Sequence, residues 1–239
     1  MSTSYNPQIV STNMRLYYDV GNKKSYPGTG AVIADLSGRD MHGIVSGSPI
    51  FTTDGGGSFH FQGDASKQNI HPSQGFSGIN SENFTICGWF KTDQSTNHKI
   101  FGFEDALSHE GGANHDKELY VNTSGNLTGG VYNSVQRGIN GTVTCVDNIW
   151  HHFAFVHSQA SGVTIYMDAV SLGNQPYIST DAPAQYLRIA SFRQDTGWPL
   201  SQNSGYFSGS IGLISLQYSA LRHTEVVQNF NAHRARFGV

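Results

Sequence analysis

The stretch from Trp150 to Gly173 limits the fold of this chain more than any other. In its first arm, Phe153 and Phe155 point to one side of the backbone. The residues that follow each of them in turn, Ala154 and Val156, point to the other side. Alternation with a period of two is typical of a β-strand, because successive side chains leave opposite faces. Since both faces carry apolar side chains, the arm is predicted to lie centrally in a sheet that is covered, at least in part, on both sides.

A second arm turns this strand into a hairpin. The loop Ser158–Gly162 is short and polar and ends in glycine, as longer hairpin loops do. After it, apolar residues again alternate with others, in the order Val163, Thr164, Ile165, Tyr166, Met167 and Asp168. The remaining strands are expected to be laid around this hairpin.

Short strand-like runs separated by turn residues make up most of the remaining chain. The strongest is Phe84–Lys91, and Lys99–Phe103 is predicted to pair with it. Many short strands with turns every ~8–12 residues favour an all-β fold, a two-sheet antiparallel β-sandwich. Residues 1–14 are predicted to be an N-terminal extension, and residues 15–239 a single domain, since sandwiches of this length are often one domain.

One short helix is predicted at the C-terminus. Beginning at Thr224, apolar residues fall near helical spacing on one stripe. Thr224 is predicted to cap the helix, and Gly238 is predicted to end it. Arg234 and Arg236 suit the last turn, where positive charge is favourable, and are interpreted as helix-end charges and not as a binding patch.

Charge and apolar runs exclude several functional classes. The formal net charge is −3 and only 13% of residues are charged, so no basic patch is available for phosphate contacts and nucleic acid is not an expected partner. No apolar run approaches the ~18 residues of a membrane span, so no membrane insertion is expected. The start of the chain lacks the features of a signal peptide. Cys87 and Cys145 are interpreted as buried reduced thiols, with a disulfide as the alternative.

Five segments together resemble the concanavalin A-like, laminin-G-like lectin/glucanase family. They are RLYYDVGNKKSYPGTG with IADLSG and MHG, then GGGSFHFQGD, ENFTICGWFKTD, WHHFAFV with TIYMDAV, and FSGSIGLISLQYSALRHTEVVQNFNAHRARFG. The resemblance covers nearly the whole chain from about Arg15, and it implies a jelly roll of two curved sheets. Where the family often has Asp-Gly after the central tyrosine, this chain has Asp168 and Ala169. The family often has an aspartate in the last strand, but Ile211-Gly212-Leu213 has none, which weakens a metal role there.

The opening stretch and the C-terminal helix resemble the version of this family found in structural proteins of tailed phages and large DNA viruses. This implies a non-catalytic virion protein, a capsid decoration, fibre or adhesin subunit, made in the host cytoplasm. Its expected partners are other virion proteins, further copies of itself, or glycan on the host cell surface. Two alternatives remain open: a stand-alone carbohydrate-binding lectin module, and a glycoside hydrolase of the glucanase type.

Sugar recognition needs an aromatic platform with neutral hydrogen-bonding groups around it. The candidate residues in loops are Trp198, Tyr206, Tyr132 and Asn133. The competing interpretation is that Trp198 and Tyr206 cover one end of the sandwich. Trp89 lies in a central strand and is interpreted as core.

Acidic and histidine residues offer three further candidates. Asp105, Glu110 and Asp116 crowd one polar loop and are candidate ligands for calcium, which prefers oxygen, with an ordinary solvated loop as the alternative. Asp116 and Glu118 are the nearest approach to a hydrolase pair, roughly 6–7 Å apart by strand rise, but they are interpreted as a solvated strand end. His151 and His152 face opposite ways and are interpreted as structural.

Overall fold

The computed structural model of the protein describes residues 8–63, 66–106, 114–180, 183–191 and 205–239. Within these ranges the chain forms two antiparallel sheets and one α-helix, α1 (His223–Phe237). The strands are β1 (Met14–Asp19), β2 (Val32–Ile33), β3 (Gly43–Ser46), β4 (Ile50–Thr52), β5 (Ser58–Gln62), β6 (Asn69–Pro72), β7 (Phe84–Lys91), β8 (His98–Glu104), β9 (His115–Val121), β10 (Asn126–Asn133), β11 (Val135–Thr144), β12 (His151–Ser158), β13 (Gly162–Met167), β14 (Val170–Gln175), β15 (Tyr186–Ile189) and β16 (Ser208–Gln217).

Each sheet has eight strands in the described part of the chain. The helix-side sheet has the order β14-β13-β12-β7-β16-β5-β4, with β1 also paired to β16. The opposite sheet has the order β11-β10-β9-β8-β15-β6-β3-β2. The predicted two-sheet antiparallel β-sandwich with one C-terminal helix is confirmed.

The hairpin β12–β13 lies where the alternation predicts, and both faces of β12 are buried. Phe153 and Phe155 pack in the core between the sheets, where each ring lies within 6 Å of the Phe101 ring of the opposite sheet (5.9 and 5.6 Å between centroids). Ala154 and Val156 point the other way, into an apolar cluster that includes residues of α1. Apolar residues on both faces of this strand are therefore explained by a sheet on one side and a helix on the other.

The N-cap of the helix lies two residues before the predicted one. Arg222 is the N-cap residue, with extended backbone angles, and its N–H donates to Glu225 Oε2 over 2.8 Å. Thr224 lies inside the first turn, so the prediction that it caps the helix is wrong, while Glu225 contributes by closing the turn on the Arg222 backbone. Gly238 ends the helix with a φ of 77°, the left-handed conformation that glycine adopts without a steric penalty.

Arg236 does more than balance the end of the helix. Its Nη1 lies 2.7 Å from Asp19 Oδ1, and its Nε donates to the carbonyl oxygen of Gly55 over 2.8 Å. These bonds tie α1 to β1 and to the turn before β5. The interpretation of Arg236 as a simple helix-end charge is therefore incomplete.

The predicted pairing of Lys99–Phe103 with Phe84–Lys91 is wrong. Strand β7 pairs with β12 and β16 in the helix-side sheet, whereas β8 pairs with β9 and β15 in the opposite sheet. The connection from residue 92 to residue 97 therefore crosses from one sheet to the other. Two consecutive strands in a sandwich can stack face to face as readily as they can pair edge to edge, and their apolar patterns do not separate the two arrangements.

The described part of the predicted N-terminal extension lies along α1. The N–H of Val10 donates to Asn229 Oδ1 over 2.8 Å, and Gln228 donates to the carbonyl oxygen of Gln8 over 2.6 Å. Cys87 and Cys145 are buried free thiols, as predicted. Within the described residues, no helix has the length and apolarity that crossing a bilayer would require.

Candidate functional site

The helix determines which surfaces of the sandwich a ligand can reach. Trp89 of β7 is fully buried and stacks on two aromatic rings of α1, Phe237 at 4.4 Å and Phe230 at 5.7 Å between centroids. The outer face of β7 and its neighbours is thus occupied by the chain itself. Candidate binding surfaces in the described residues therefore lie on the opposite sheet, at the ends of the sandwich, and along its edges.

One end of the opposite sheet carries two exposed tyrosines on adjoining segments, which we call the Tyr132–Tyr177 surface (Tyr132, Asn133, Arg137 and Tyr177). Tyr132 is 40% exposed and Tyr177 is 37% exposed. The Arg137 guanidinium lies over the Tyr177 ring, 4.0 Å from its centroid. This stack fixes an aromatic ring and a cation beside each other at the protein surface.

Backbone hydrogen bonds hold the Tyr132–Tyr177 surface in place. The carbonyl oxygen of Tyr132 accepts from Thr180 N over 2.9 Å, and Asn133 Nδ2 donates to the carbonyl oxygen of Ile178 over 2.9 Å. The N–H of Tyr132 donates to the buried carboxylate of Asp116 over 2.6 Å. The hairpin β10–β11 and the segment after β14 are therefore joined into one platform.

The structure does not bring all the predicted sugar-binding residues together. Tyr132 and Asn133 are neighbours on the platform, but Tyr206 lies elsewhere. Tyr206 follows Gly205, whose carbonyl oxygen accepts from Lys99 N near the start of β8, whereas Tyr132 is bonded to Asp116, opposite Phe103 near the end of β8. The stretch of β8 from Lys99 to Phe103, about 13 Å at ~3.3 Å per residue, therefore separates them. Trp198 lies outside the described residues.

Arg137 and Tyr177 are parts of this surface that the sequence analysis missed. Tyr177 follows a proline after an edge strand, so no periodic pattern surrounds it. The pairing of an arginine on β11 with a tyrosine 40 residues later depends on the contact between the two edge strands β11 and β14. A weak signal was available, since an aromatic residue in a polar Gly-Asn-Gln-Pro stretch has no obvious core to enter.

The predicted metal ligands are placed as follows. Asp105 is half-buried, and its Oδ2 accepts from the N and Nδ2 of Asn114, both over 3.0 Å. Asp116 is fully buried and its carboxylate accepts hydrogen bonds from Tyr132 N, Lys117 N and Ser179 Oγ. Glu110 lies outside the described residues. Among those that are described, no three His, Cys, Asp or Glu side chains come together in a group that could hold a metal ion. The calcium site stays a prediction.

Asp116, Lys117 and Glu118 are not a solvated strand end, and that interpretation is wrong. All three side chains have 0% of their surface exposed. Glu118 forms an ion pair with Lys99 of the neighbouring strand and accepts from His115 Nδ1 at 2.7 Å. Nearby on β8 and β15, Glu104 and Arg188 form a second buried ion pair at 3.3 Å. Pairing with opposite charges offsets the cost of burying these groups. The sequence of one strand does not show this pairing, because the partners lie on neighbouring strands.

A backbone irregularity separates the two acids that the hydrolase alternative needs. Lys117 has a φ of 53°, and the register of β8 and β9 shifts at this point. The Lys117 ammonium contacts Asn80 Oδ1 at 2.6 Å and Asp116 Oδ2 at 3.3 Å, so Asp116 is paired here. Glu118 is paired instead with Lys99. The two carboxylates thus have different partners, and a cation engages each of them.

Burial changes the protonation of several groups. Burial lowers the pKa of Lys99 to about 8, against the attraction of the Glu118 carboxylate. Burial likewise lowers the pKa of His152 to about 3, so this ring is neutral at pH 7. Burial also opposes the charged form of His151, but the hydrogen bonds that its ring donates to the Asp168 and Asp147 carboxylates, and the attraction of their charges, outweigh it and raise its pKa. Both histidines are buried and point into different environments, in agreement with a structural role.

Three solved structures have the same fold as this chain. The binding domain of Paraclostridial Mosquitocidal Protein 1 has a TM-score of 0.61 at 14% identity, over 92% of this chain and 52% of that one. Domain 4 of AbnA, a GH43 extracellular arabinanase from Geobacillus stearothermophilus, solved in complex with arabinotriose, has a TM-score of 0.60 at 14% identity, over 91% and 98%. Trypanosoma rangeli sialidase in complex with sialic acid has a TM-score of 0.62 at 13% identity, over 94% and 33%.

These similarities differ in how much of the other protein they cover. The chain spans about half of the mosquitocidal binding domain and a third of the sialidase, but nearly all of the arabinanase domain. No curated protein matches the chain significantly in sequence. A laminin-G-type family model, described as the concanavalin A-like lectin/glucanases superfamily, matches residues 62–227, which is more than half of the chain. The chain therefore belongs to the concanavalin A-like lectin/glucanases superfamily.

Proposed function

We propose that the chain is a non-catalytic, lectin-like binding module that binds glycan on the Tyr132–Tyr177 surface. The observation that carries this proposal is the pair of exposed tyrosines held on hydrogen-bonded segments, with Arg137 stacked on one ring. A pyranose presents apolar C–H faces that pack on aromatic rings, and its hydroxyl groups need neutral donors and acceptors. Asn133 and Thr180 lie beside Tyr132 and can supply them. The shared fold with an arabinanase domain solved with arabinotriose is consistent with this role.

The state of the carboxylates supports a non-catalytic module. A glycoside hydrolase needs two carboxyl groups that face the sugar from opposite sides of the scissile bond. Glu118 and Glu104 are each buried in an ion pair, with Lys99 and Arg188 respectively. Asp116 accepts backbone and side-chain hydrogen bonds that hold Tyr132 in place. These acids are engaged in structure, so the hydrolase alternative is not favoured.

We further propose that the module works in a virion, after synthesis in the host cytoplasm. The basis is the resemblance of its opening stretch and C-terminal helix to viral structural proteins. Two sheet edges expose apolar side chains that neighbouring subunits could cover. Val32 and its cross-strand partner Ile44 are 54% and 42% exposed, and Ile50 and Phe51 on β4 are 48% and 36% exposed. On this proposal, the module's partners are other virion proteins or further copies of itself.

A glycan array probed with the purified protein tests the binding function. We expect specific binding that falls by about tenfold or more in Tyr132→Ala and Tyr177→Ala, because each loses an aromatic face. Val170→Ala, which trims a 66% exposed side chain on the helix-side sheet, is the control and should bind normally. Full binding by both tyrosine variants would contradict the assignment of the surface.

Two further experiments test the calcium site and the hydrolase alternative. A repeat of the array with added calcium and then with chelator tests the calcium site near Asp105, Glu110 and Asp116, since loss of binding under chelator would support it. Incubation of the wild-type protein with β-glucan should release no reducing sugar, and release of reducing sugar by the wild-type protein would favour the hydrolase. If no glycan on the array bound the protein under any of these conditions, a purely architectural role would be favoured.

A further inference from the structure

A second concave surface, which shares no lining residue with the Tyr132–Tyr177 surface, lies between β1, the turn before β3, and the segment that leads from β6 to β7. It is a cleft of about 460 Å³, within the range of about 300–1,000 Å³ that is usual for clefts holding small ligands. Its lining residues are Arg15, Arg39, Met41, Gly75, Phe76, Ser77, Glu82 and Tyr218. Neither the family match nor the sequence analysis assigns a role to it.

Arg15 is fixed in this cleft with its hydrogen-bonding capacity incompletely used. Its guanidinium carbon lies 4.5 Å from the centroid of the Tyr218 ring, so the planar group is stacked and held. Its Nε is buried and has no hydrogen-bond acceptor among the described residues. A buried donor without an acceptor is costly, and an incoming acceptor would remove that cost. The side chain is therefore prepared for a planar anionic group.

The balance of charge in the cleft favours a monoanion. Two arginines, Arg15 and Arg39, face a single acid, Glu82, and within the described residues no ion pair joins either arginine to it. The cleft thus has an excess of one positive charge in a chain whose net charge is −3. A carboxylate would neutralise this excess and match the fork of a guanidinium with two parallel hydrogen bonds. A dianionic phosphate would leave one negative charge beside Glu82.

Apolar and neutral groups line the rest of the cleft. Phe76 and Met41 supply an apolar wall, and Ser77 supplies a hydroxyl group. A ligand that carries a carboxylate on a ring with both C–H faces and hydroxyl groups fits all three kinds of group. We propose that this cleft binds a carboxylate-bearing saccharide, with Arg15 as the residue that takes the carboxylate and Arg39 as a second positive charge at its rim.

Isothermal titration calorimetry at low salt tests this site, with glucuronic acid as the probe. We expect saturable binding of glucuronic acid that weakens about tenfold or more in Arg15→Gln, since charge-assisted hydrogen bonds to the carboxylate are lost. Arg15→Lys keeps the charge but loses the planar fork, so it should restore only part of the affinity. Arg39→Gln changes an exposed side chain with little effect on folding, and should weaken binding several-fold by its charge alone.

The controls decide what the binding depends on. Arg234→Gln removes an exposed arginine that also lies over an aromatic ring, Phe230 at 5.3 Å, but outside the cleft, and it should bind glucuronic acid normally. Glucose should bind much more weakly than glucuronic acid. Inorganic phosphate that binds as tightly as glucuronic acid would overturn the carboxylate assignment. So would equal affinities of wild type, Arg15→Gln and Arg39→Gln.

One further variant separates this proposal from the glycan surface proposed above. If Tyr132→Ala loses glucuronic acid while Arg15→Gln keeps it, the acid binds at the Tyr132–Tyr177 surface and the cleft proposal is overturned. If Arg15→Gln alone loses it, the cleft proposal is supported, whatever the array shows for neutral glycans.

Discussion

The indole of Trp89 lies flat against the ring of Phe237, with centroids 4.4 Å apart and planes 12° from parallel. Trp89 belongs to a central strand and Phe237 to the last turn of the C-terminal helix, 148 positions later. Phe237 also contacts Trp150, with centroids 4.8 Å apart, at the start of the central hairpin. The Phe237 side chain thus covers both Trp89 and Trp150 on the outer face of the helix-side sheet.

We predict that Phe237→Ala destabilises the protein by about 3–5 kcal/mol, the usual cost of removing a buried phenylalanine ring. Phe237 is only 4% exposed, and its loss would leave Trp89 facing a cavity. Urea unfolding monitored by tryptophan fluorescence measures the effect. Ala235→Ser, on the exposed side of the same turn, should cost only a few tenths of a kcal/mol. Equal costs for both variants would show that the helix contributes little to stability.

The turn between β13 and β14 contains a departure from the family pattern, Ala169, and its backbone conformation explains why glycine is usual at this position. Asp168 and Ala169 both have positive φ, 50° and 64°, as the two central residues of a type I′ turn require. The Asp168 carboxylate accepts a hydrogen bond from His152 N over 2.8 Å, and this bond stabilises Asp168 in its left-handed conformation. Ala169 has no such contact from its side chain, and a methyl group is strained in this conformation.

We predict that Ala169→Gly stabilises the protein by about 0.5 kcal/mol. Relief of roughly 1 kcal/mol of backbone strain is partly offset by the greater freedom of glycine in the unfolded chain and by the lost methyl packing. Thermal unfolding should show a small upward shift of Tm. Ala154→Gly, in the middle of strand β12 and fully buried, should lower Tm. A fall in Tm for both variants would mean that methyl packing outweighs strain at Ala169.

The fold could be predicted where the sequence of a strand shows what covers each of its two faces. Phe153 and Ala154 show this, because apolar residues on both faces require two covers, and the structure supplies the opposite sheet and α1. The partner of β8 could not be predicted in the same way. Both candidate positions bury Phe101 and Phe103, so the apolar pattern is identical, and only the path of the chain between the sheets decides the pairing.

The candidate site could be predicted only in part, for a related reason. Tyr132 and Asn133 lie at the end of strand β10, and their polar neighbours in sequence indicated the exposure that Tyr132 shows; their role in sugar binding stays a prediction. Glu118 was not interpretable from its neighbours in sequence, because the cation that makes its burial tolerable, Lys99, lies 19 residues away on the next strand. Charge in a single sequence indicates exposure unless the cross-strand partner is known.

We predict that Glu118→Gln destabilises the protein by about 3–5 kcal/mol, because it removes the negative charge that compensates a buried Lys99. Replacement of both residues, Lys99→Met with Glu118→Leu, should recover most of this loss, since no buried charge of the pair remains. Chemical denaturation of the single and double variants measures the coupling.

An exposed ion pair gives the control for this prediction. Arg222 and Glu225 lie 3.1 Å apart on the helix, with the Arg222 side chain 79% exposed. Arg222→Gln should therefore cost much less stability than Glu118→Gln, because water screens an exposed pair. If Glu118→Gln proved as stable as Arg222→Gln, the buried ion pair would contribute no more to stability than the exposed one. That result would contradict the prediction.

The buried histidines make the protein sensitive to acid. Burial lowers the pKa of His98 and His157 to about 4, and that of His152 to about 3, from an ordinary value of 6.5. The unfolded chain therefore binds protons at these rings near pH 6.5 while the folded chain does not. Stability is fully present above pH 6.5 and falls as the pH drops toward 4. At pH 5 each ring lowers the free energy of unfolding by about 2 kcal/mol relative to its value well above pH 6.5.

Urea unfolding at pH 7, 6 and 5 measures this dependence, and we expect the free energy of unfolding to fall with an uptake of about three protons on unfolding. His151 works against the trend, because its pKa is raised and its protonation favours the folded state. In His157→Gln the slope should decrease by about one proton, since an amide can still donate to the Glu82 carbonyl oxygen and accept from Ser179 N, as His157 does, but does not titrate. A stability that is flat from pH 7 to pH 5 would show that these rings are not buried in solution.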